Sequence, residues 1–501
     1  MITTITNGNR MRWFLFALLC ALALLQLLIA VLNHFYFRTY ALDYAIYNFA
    51  FYDFAHLRVS PVPAYIYPFP STFLQDHFSL TLPILSPLYW LLNPLFGTYS
   101  LLIIQWCFIL IGALGTYKFL LRKTQNPYLP HLAAIYYFLM FGRYSANLND
   151  VNLAIIGASL VPLLFYYFDT EKKWQALTVF LLLLLNREDY ALWLFFITVF
   201  FLIIYRKNKG QRTIAIYLAI ASVLYFLVVM KLIIPALETA ERKYNLFDFS
   251  AVGNTPAEAF SFIILHPLKA LALLFENQNG EAWHDGRKLE FYQVYLLSGA
   301  ALLFLRPIFF LPFLPVLLRK MYDDNPLRWS IEGYYSIEFV SLLPLLVFWI
   351  LSDFKKQSLQ NTLAAALMLL TSLVTVWKIS SLPHNAIVGQ SNKYNFFSPE
   401  FYKPDLDMQQ INYALSLIPK NEAVCATGRL LPHLAYREKV YYFPRHQNAN
   451  YVLVLKKNDY WPLFANEFEA EITALRSSSD WQIKIEQEHI LLFVRKSVQK
   501  P

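Results

Sequence analysis

Four short segments of this 501-residue chain carry side chains able to do acid–base or phosphate chemistry. The first runs from Arg38 through Asp43 to Asp53. Read as a helix, it sets Tyr40, Tyr44, Tyr47 and Phe51 at i, i+4, i+7 and i+11, an aromatic stripe suited to the headgroup zone of a bilayer. Asp43 lies off the centre of that stripe and can face a protein cavity. Taken alone, Asp43 and Asp53 read as ordinary solvated carboxylates on an interfacial helix. The second segment is Gln75-Asp76-His77-Phe78, a carboxylate beside an imidazole. Such a pair can ligate a divalent cation, relay a proton or pair with a phosphate-binding base, and the dipeptide does not choose among them. The third is the turn Asn147-Leu148-Asn149-Asp150, and the fourth is Asn186-Arg187-Glu188-Asp189, three ionisable groups in a row between two apolar runs. Charges that near hydrocarbon are costly and usually face a polar cavity or one another.

The elements that position these groups are membrane spans. The chain is 57% apolar, 18% aromatic and only 15% charged, well below the charged share of a soluble protein. Runs such as Trp13 to Asn33 and Ser100 to Leu121 have the length needed to cross a hydrocarbon layer roughly 30 Å thick. Arg10 and Arg12 precede the first run and no small-residue cleavage site follows it, so it reads as a retained span with a cytoplasmic N-terminus. Further spans are expected near 99–121, 129–145, 152–168, 174–186, 190–205, 213–234, 291–305, 307–319, 337–352 and 359–377. That makes an α-helical polytopic membrane protein with about eleven transmembrane helices and an outer C-terminus. Arg122, Lys123, Lys172, Lys173, Arg206, Lys207, Lys209, Arg212, Arg306, Lys355 and Lys356 then fall on the inner side, the positive-inside pattern. The pattern holds only if Leu82 to Phe96 does not cross, and Pro83, Pro87 and Pro94 suit an interfacial or re-entrant piece.

On this threading all four segments lie on the outer face. Residues 1–379 form the transmembrane domain with large outer loops at 34–98 and 235–290, the second holding an amphipathic run from Pro256 to Phe275 expected on the membrane surface. Beyond residue 380 both signs of charge return. Short apolar runs at Ala423 to Ala426, Tyr451 to Leu455 and Ile490 to Val494 alternate with helical patterns at 405–418 and 464–476, so 380–501 reads as a small extracytoplasmic α/β domain. Cys425 reads as a small buried hydrophobe, and His433, Arg437 and His446 as surface residues. An outer cavity with several carboxylates and an arginine suits chemistry on a lipid-linked anionic substrate: one carboxylate takes the proton of an acceptor hydroxyl while an arginine or a metal stabilises the departing phosphate.

The residues that carry these features also carry a resemblance. Asp43, the "DHF" at Asp76, His77 and Phe78 followed by Pro83 and Pro87, "LLIIQ" at 101–105, Asp150, "REDYAL" at 187–192, "IPKNEAVCATGRLLPHLAYREKVYYFP" at 418–444 and "NYVLVL" at 450–455 resemble the membrane family catalogued as domain of unknown function 2079. That family is in turn similar to the GT-C class of integral-membrane glycosyltransferases. Here "SPLYWLLNPLFG" at 86–97 matches a GT-C "PPL…LFG" piece with one of its two prolines. The resemblance implies a GT-C-like fold in the plasma (inner) membrane, with sugar transfer from a polyprenyl-phosphate-linked donor to an envelope glycan, lipid or protein acceptor on the outer face. By that implication Asp43 and Asp150 stand in the places of the two catalytic acids. Arg187 with Arg143 would clamp the phosphate, Glu188 would line the substrate site, and Asp76 and His77 would position the sugar or hold a divalent ion.

Two other readings compete. A transporter or flippase of a lipid-linked or anionic solute would show paired interrupted helices in two related halves, and no internal symmetry is visible. An envelope assembly or sensory protein would not need so many spans as an anchor. Nucleic-acid binding has no support, because the formal charge of +9 sits beside spans and residues 380–501 hold fourteen Lys/Arg against twelve Asp/Glu.

Overall fold

A computed structural model describes residues 2–63, 71–240, 247–381, 393–456 and 459–499. The chain forms two compact units that do not follow chain order. The first comprises 1–26, 105–149 and 153–378, and the second comprises 27–104, 150–152 and 379–501. A boundary at 379/380 therefore captures only part of the division: the outer loop expected at 34–98 and the turn residue Asp150 belong with the C-terminal residues. Part of the expected junction, 382–392, lies outside the described residues.

The first unit is helical. Four helical stretches have the length and apolarity to cross a membrane: Asn9–Phe35, Leu88–Lys123, Lys209–Leu237 and Gln357–Ser381. The pair Pro256–Leu265 and Pro267–Leu273, bent by 111° at the break, makes a fifth if it counts as one span. Leu129–Leu139, Leu153–Asp169, Lys173–Leu184, Tyr190–Ile204 and Ile337–Ser352 are apolar but shorter than the roughly 20 residues a crossing needs. The expected count of about eleven spans is thus not matched, and proline supplies much of the reason. The expected spans 291–305 and 307–319 break into the 3-10 turns Ala300–Leu305 and Pro307–Phe313, because Pro307, Pro312 and Pro315 remove backbone donors. The expected span 129–145 breaks at Met140, whose ψ of 135° separates Leu129–Leu139 from Phe141–Leu148. The run from Pro256 to Phe275 is not one surface helix, since His266 and Pro267 turn it sharply.

Polar pairs sort the loops of this unit into two sets. Asp169 takes Lys123, Arg122 at 3.9 Å and the Tyr205 hydroxyl at 2.7 Å. Arg306 pairs with Asp353 at 2.6 Å and Asn126 donates to Gln360 at 2.9 Å. In the other set Arg319 pairs with Asp189 and Glu338, and Gln278 donates to the Asp323 carbonyl at 2.9 Å. The first set gathers loops expected inside, and the second gathers loops expected outside.

The second unit is built on a five-stranded sheet of order β2-β1-β3-β5-β4: β1 Val424–Ala426, β2 Val440–Tyr442, β3 Tyr451–Leu455, β4 Trp481–Glu486 and β5 Ile490–Arg495. β1 runs parallel to β2 and β3, with Val424 opposite Val440 and Tyr451. β5 is antiparallel to β3 and β4. The helix Ala465–Ser477 covers one face, burying Phe468, Ile472 and Leu475 against Cys425, Val452, Leu491 and Phe493. β3 and β5 are buried over almost their whole length, as central strands covered on both sides are.

This domain is joined closely to the first loop. Arg38, fully buried, donates to the carbonyls of Phe401 at 2.8 Å and Lys403 at 2.6 Å. Arg429, also buried, donates to the Phe37 carbonyl at 2.6 Å and to Asp405 at 2.9 Å. Gly428 has no room for a Cβ, which would lie 2.5 Å from the Tyr40 ring. As a result Tyr40, Tyr44, Tyr47 and Phe51 are buried at 6% exposure or less. The stripe expected in the headgroup zone packs on Phe73, Tyr89 and Tyr436 instead, because amphipathicity reports an apolar face and not what covers it. His433 and Arg437 are likewise not surface residues: His433 stacks on His34 at 3.9 Å, and Arg437 is 8% exposed. Arg38→Ala removes two charge-assisted hydrogen bonds made by a buried guanidinium and leaves both carbonyls without them. The expected loss is about 3 kcal/mol, read as a lower unfolding temperature in detergent; an unchanged unfolding temperature contradicts the clamp.

Candidate functional site

Asp43 sits in a π-helical turn, Ala41–Ala45, that opens into the helix Ile46–Ala55. The turn begins at Tyr40, an extended residue without a side-chain cap of its own. Its backbone N–H is taken instead by Asp150, whose Oδ2 accepts it at 3.0 Å. Asp150 adopts φ +68°, a region that non-glycine residues enter at a cost and hold only when surroundings over-determine it. Its other oxygen, Oδ1, accepts from Lys393 Nζ at 2.9 Å, both side chains being 4% exposed or less. Lys393 is anchored in turn by its carbonyl, which accepts from Asn33 Nδ2 at 3.4 Å.

The second acidic segment is shaped locally. Thr72 and Gln75 form a capping box over the short helix Phe73–Asp76, with the Thr72 N–H donating to Gln75 Oε1 at 2.8 Å. Asp76 closes that helix, and its Oδ2 lies 3.7 Å from His77 Nε2. Both side chains remain partly open to solvent.

Asp43, Asp76, His77 and Asp150 share one electrostatic neighbourhood with Lys393. Asp43 is half-buried, and its carboxyl is pushed up to about 7, first by burial and then by the charge of Asp150, with Asp76 adding to the push; Lys393 and His77 pull the other way. Burial also raises Asp150, against the opposing influence of Lys393 and the Tyr40 N–H. Lys393 is lowered by burial but raised overall by Asp150. A carboxyl poised near neutrality is a candidate general base. Asp150 makes structural contacts through both oxygens, with the Tyr40 N–H and with Lys393. Asp53 is structural as well, because its carboxylate accepts from Ser60 N at 2.6 Å, Ser60 Oγ at 3.0 Å and Arg58 Nε at 3.1 Å and closes the turn after the helix.

The divalent-ion expectation does not fit this donor set. Among the described residues no group of three or more His, Cys, Asp or Glu side chains is placed to hold a metal ion, and Asp76 and His77 face each other as a pair. No step is routed through a metal.

Arg143, Arg187 and Glu188 belong to the first unit. Arg187 lies 3.3 Å from Asp189, which also pairs with Arg319; Arg319 reaches Glu338 at 3.0 Å. Glu188 is buried. Arg143 is fully buried, with its guanidinium 4.3 Å from the Tyr137 ring centre, and none of its three side-chain nitrogens has a hydrogen-bond partner among the described residues. Sequence reading missed Lys393, Arg319 and Glu338. The one available signal for Lys393 was a lone cation followed by Tyr394, Phe396 and Phe397, past the last apolar run.

A family profile described as "Predicted membrane protein (DUF2079)" matches residues 33–492. No curated protein matches the chain. Among solved structures it is similar to the archaeal oligosaccharyltransferase AglB from Archaeoglobus fulgidus in complex with an inhibitory peptide and a dolichol-phosphate, with a TM-score of 0.40 and 10% identity over 89% of this chain and 70% of that one.

A carboxyl whose folded pKa lies above its ordinary 3.8 holds extra proton in the native state between the two values, so its contribution to stability falls as pH rises through that window and the cost is complete above about 7. Asp43→Asn is expected to leave stability unchanged near pH 4 and to raise it at pH 8 by on the order of 2–4 kcal/mol. Thermal unfolding of both proteins across that range checks this; a flat difference contradicts a buried charge at Asp43.

Proposed function

We propose that this chain, which belongs to the DUF2079 family of predicted membrane proteins, transfers a sugar from a polyprenyl-phosphate-linked donor to an acceptor of the cell envelope on the outer face of the plasma membrane. The observation that supports this most is Asp43, a half-buried carboxyl held near neutrality amid Asp150, Lys393, His77 and Asp76, on a loop that begins where the apolar helix Ile2–Phe35 ends. Proton transfer at neutral pH is most effective from a group whose pKa lies near the working pH.

In the proposed reaction the Asp43 carboxylate takes the proton of an acceptor hydroxyl as that oxygen bonds to the anomeric carbon. The bond from that carbon to the phosphate oxygen breaks, and polyprenyl phosphate leaves with the electron pair. The transition state carries oxocarbenium character, as in glycoside hydrolysis, which a nearby carboxylate also stabilises. Asp76 and His77 offer acceptors and a donor to sugar hydroxyls. In this reading the N-terminus lies in the cytoplasm and the C-terminal domain outside.

Membranes containing the chain, supplied with a panel of radiolabelled decaprenyl-phosphate sugars, are expected to move label into an envelope acceptor. Asp43→Asn should lower that transfer at least about 100-fold at unchanged expression. Turnover undiminished in Asp43→Asn removes Asp43 from the reaction.

A further inference from the structure

Lys393 lies 243 positions from its partner Asp150 and more than that from Asp43, yet all three meet in the second unit. The pair is made of two buried ions, and such a pair is costly to assemble and costly to break. Its effect here is local. One oxygen of Asp150 is held by the Lys393 ammonium and the other by the N–H of Tyr40, the residue that opens the turn carrying Asp43. The unfavourable φ of +68° at Asp150 aims the carboxylate at both donors. The lysine also faces Asp43 and Tyr394, and the charged or titratable groups facing Asp43 are Asp150, Lys393, His77 and Asp76.

We propose that Lys393 is a positioning residue of the candidate site: through Asp150 it fixes the start of the Asp43 turn, and through space it decides how readily Asp43 gives up its proton. The C-terminal part of the chain thereby supplies a working component of the site. Without the ammonium, Asp43 would face the Asp150 charge uncompensated. Without the Asp150 carboxylate, the ammonium would be left facing Asp43 alone. The two losses act in opposite directions, which a merely structural role for the lysine would not produce. The inference rests on reading Asp43 as the proton acceptor, but its test does not require sugar transfer.

The carboxylic C=O stretch of Asp43, identified as the infrared band absent from Asp43→Asn, is followed against pH in the purified full-length protein. The wild-type midpoint is expected near 7. Lys393→Met should raise it by about one pH unit or more, a tenfold change in proton affinity. Asp150→Asn should lower it, and Lys393→Arg should leave it within a few tenths of a unit. Should Lys393→Met fail to fold, the double variant Asp150→Asn/Lys393→Met buries no unpaired charge and should return the midpoint toward the wild-type value from the lowered one of Asp150→Asn. Midpoints of Asp150→Asn and of the folded lysine variant that coincide with wild type overturn the proposal. Midpoints that move as stated in a protein that transfers no sugar uphold the positioning role and count against the transferase reading alone.

Discussion

The arrangement of the second unit around Asp43 depends on one ion pair, Asp150 with Lys393, at 2.9 Å and nearly out of contact with water. An exposed pair of this kind contributes little. A buried one carries a large desolvation cost that is met only when both ions are well placed and their remaining hydrogen-bonding groups are satisfied. Here the remaining carboxylate oxygen is satisfied by the Tyr40 N–H, so three segments far apart in the chain must come together for the pair to exist. Arg38 and Arg429, each donating to backbone carbonyls across the same unit and each facing Asp405, hold those segments against one another. The second unit is therefore one object made from the first loop, a short turn and the C-terminal sheet.

Within that object the acids have separate tasks set by their surroundings. Asp53 and Asp150 have their oxygens occupied by fixed donors, and Asp76 pairs with the neighbouring imidazole. Burial pushes up both Asp43 and Asp150, and Asp43 faces the Asp150 charge in addition.

Much of this was legible in the residues, and the rest was not, for identifiable reasons. Asp43, Asp76, His77 and Asp150 stood out because each is a charge beside long apolar runs, and the structure gathers them. The strands at 424–426, 451–455 and 490–495 and the helix at 465–477 were visible as apolar runs and helical periods. Val440–Tyr442 was missed because three residues carry no period, and Trp481–Glu486 because its polar face at the sheet edge looks like a loop. Lys393 offered only a lone cation before an aromatic cluster, because its role comes from a partner 243 positions away. The expected count of about eleven spans is not confirmed, and Pro307, Pro312 and Pro315 keep one of the expected stretches from being a continuous helix. The aromatic stripe of Tyr40, Tyr44, Tyr47 and Phe51 was found correctly as a face and assigned to the wrong environment, lipid instead of protein.

Photo-crosslinking bears most directly on where the chemistry takes place. A decaprenyl-phosphate sugar carrying a diazirine on the sugar ring, irradiated with the full chain in lipid nanodiscs and mapped by peptide mass spectrometry, should label peptides within 38–53 and 73–82 and be competed by the unmodified donor. Adducts confined to the loops that gather around Asp169, or no labelling above that of a diazirine lipid lacking the sugar, would contradict a sugar-transfer site at Asp43.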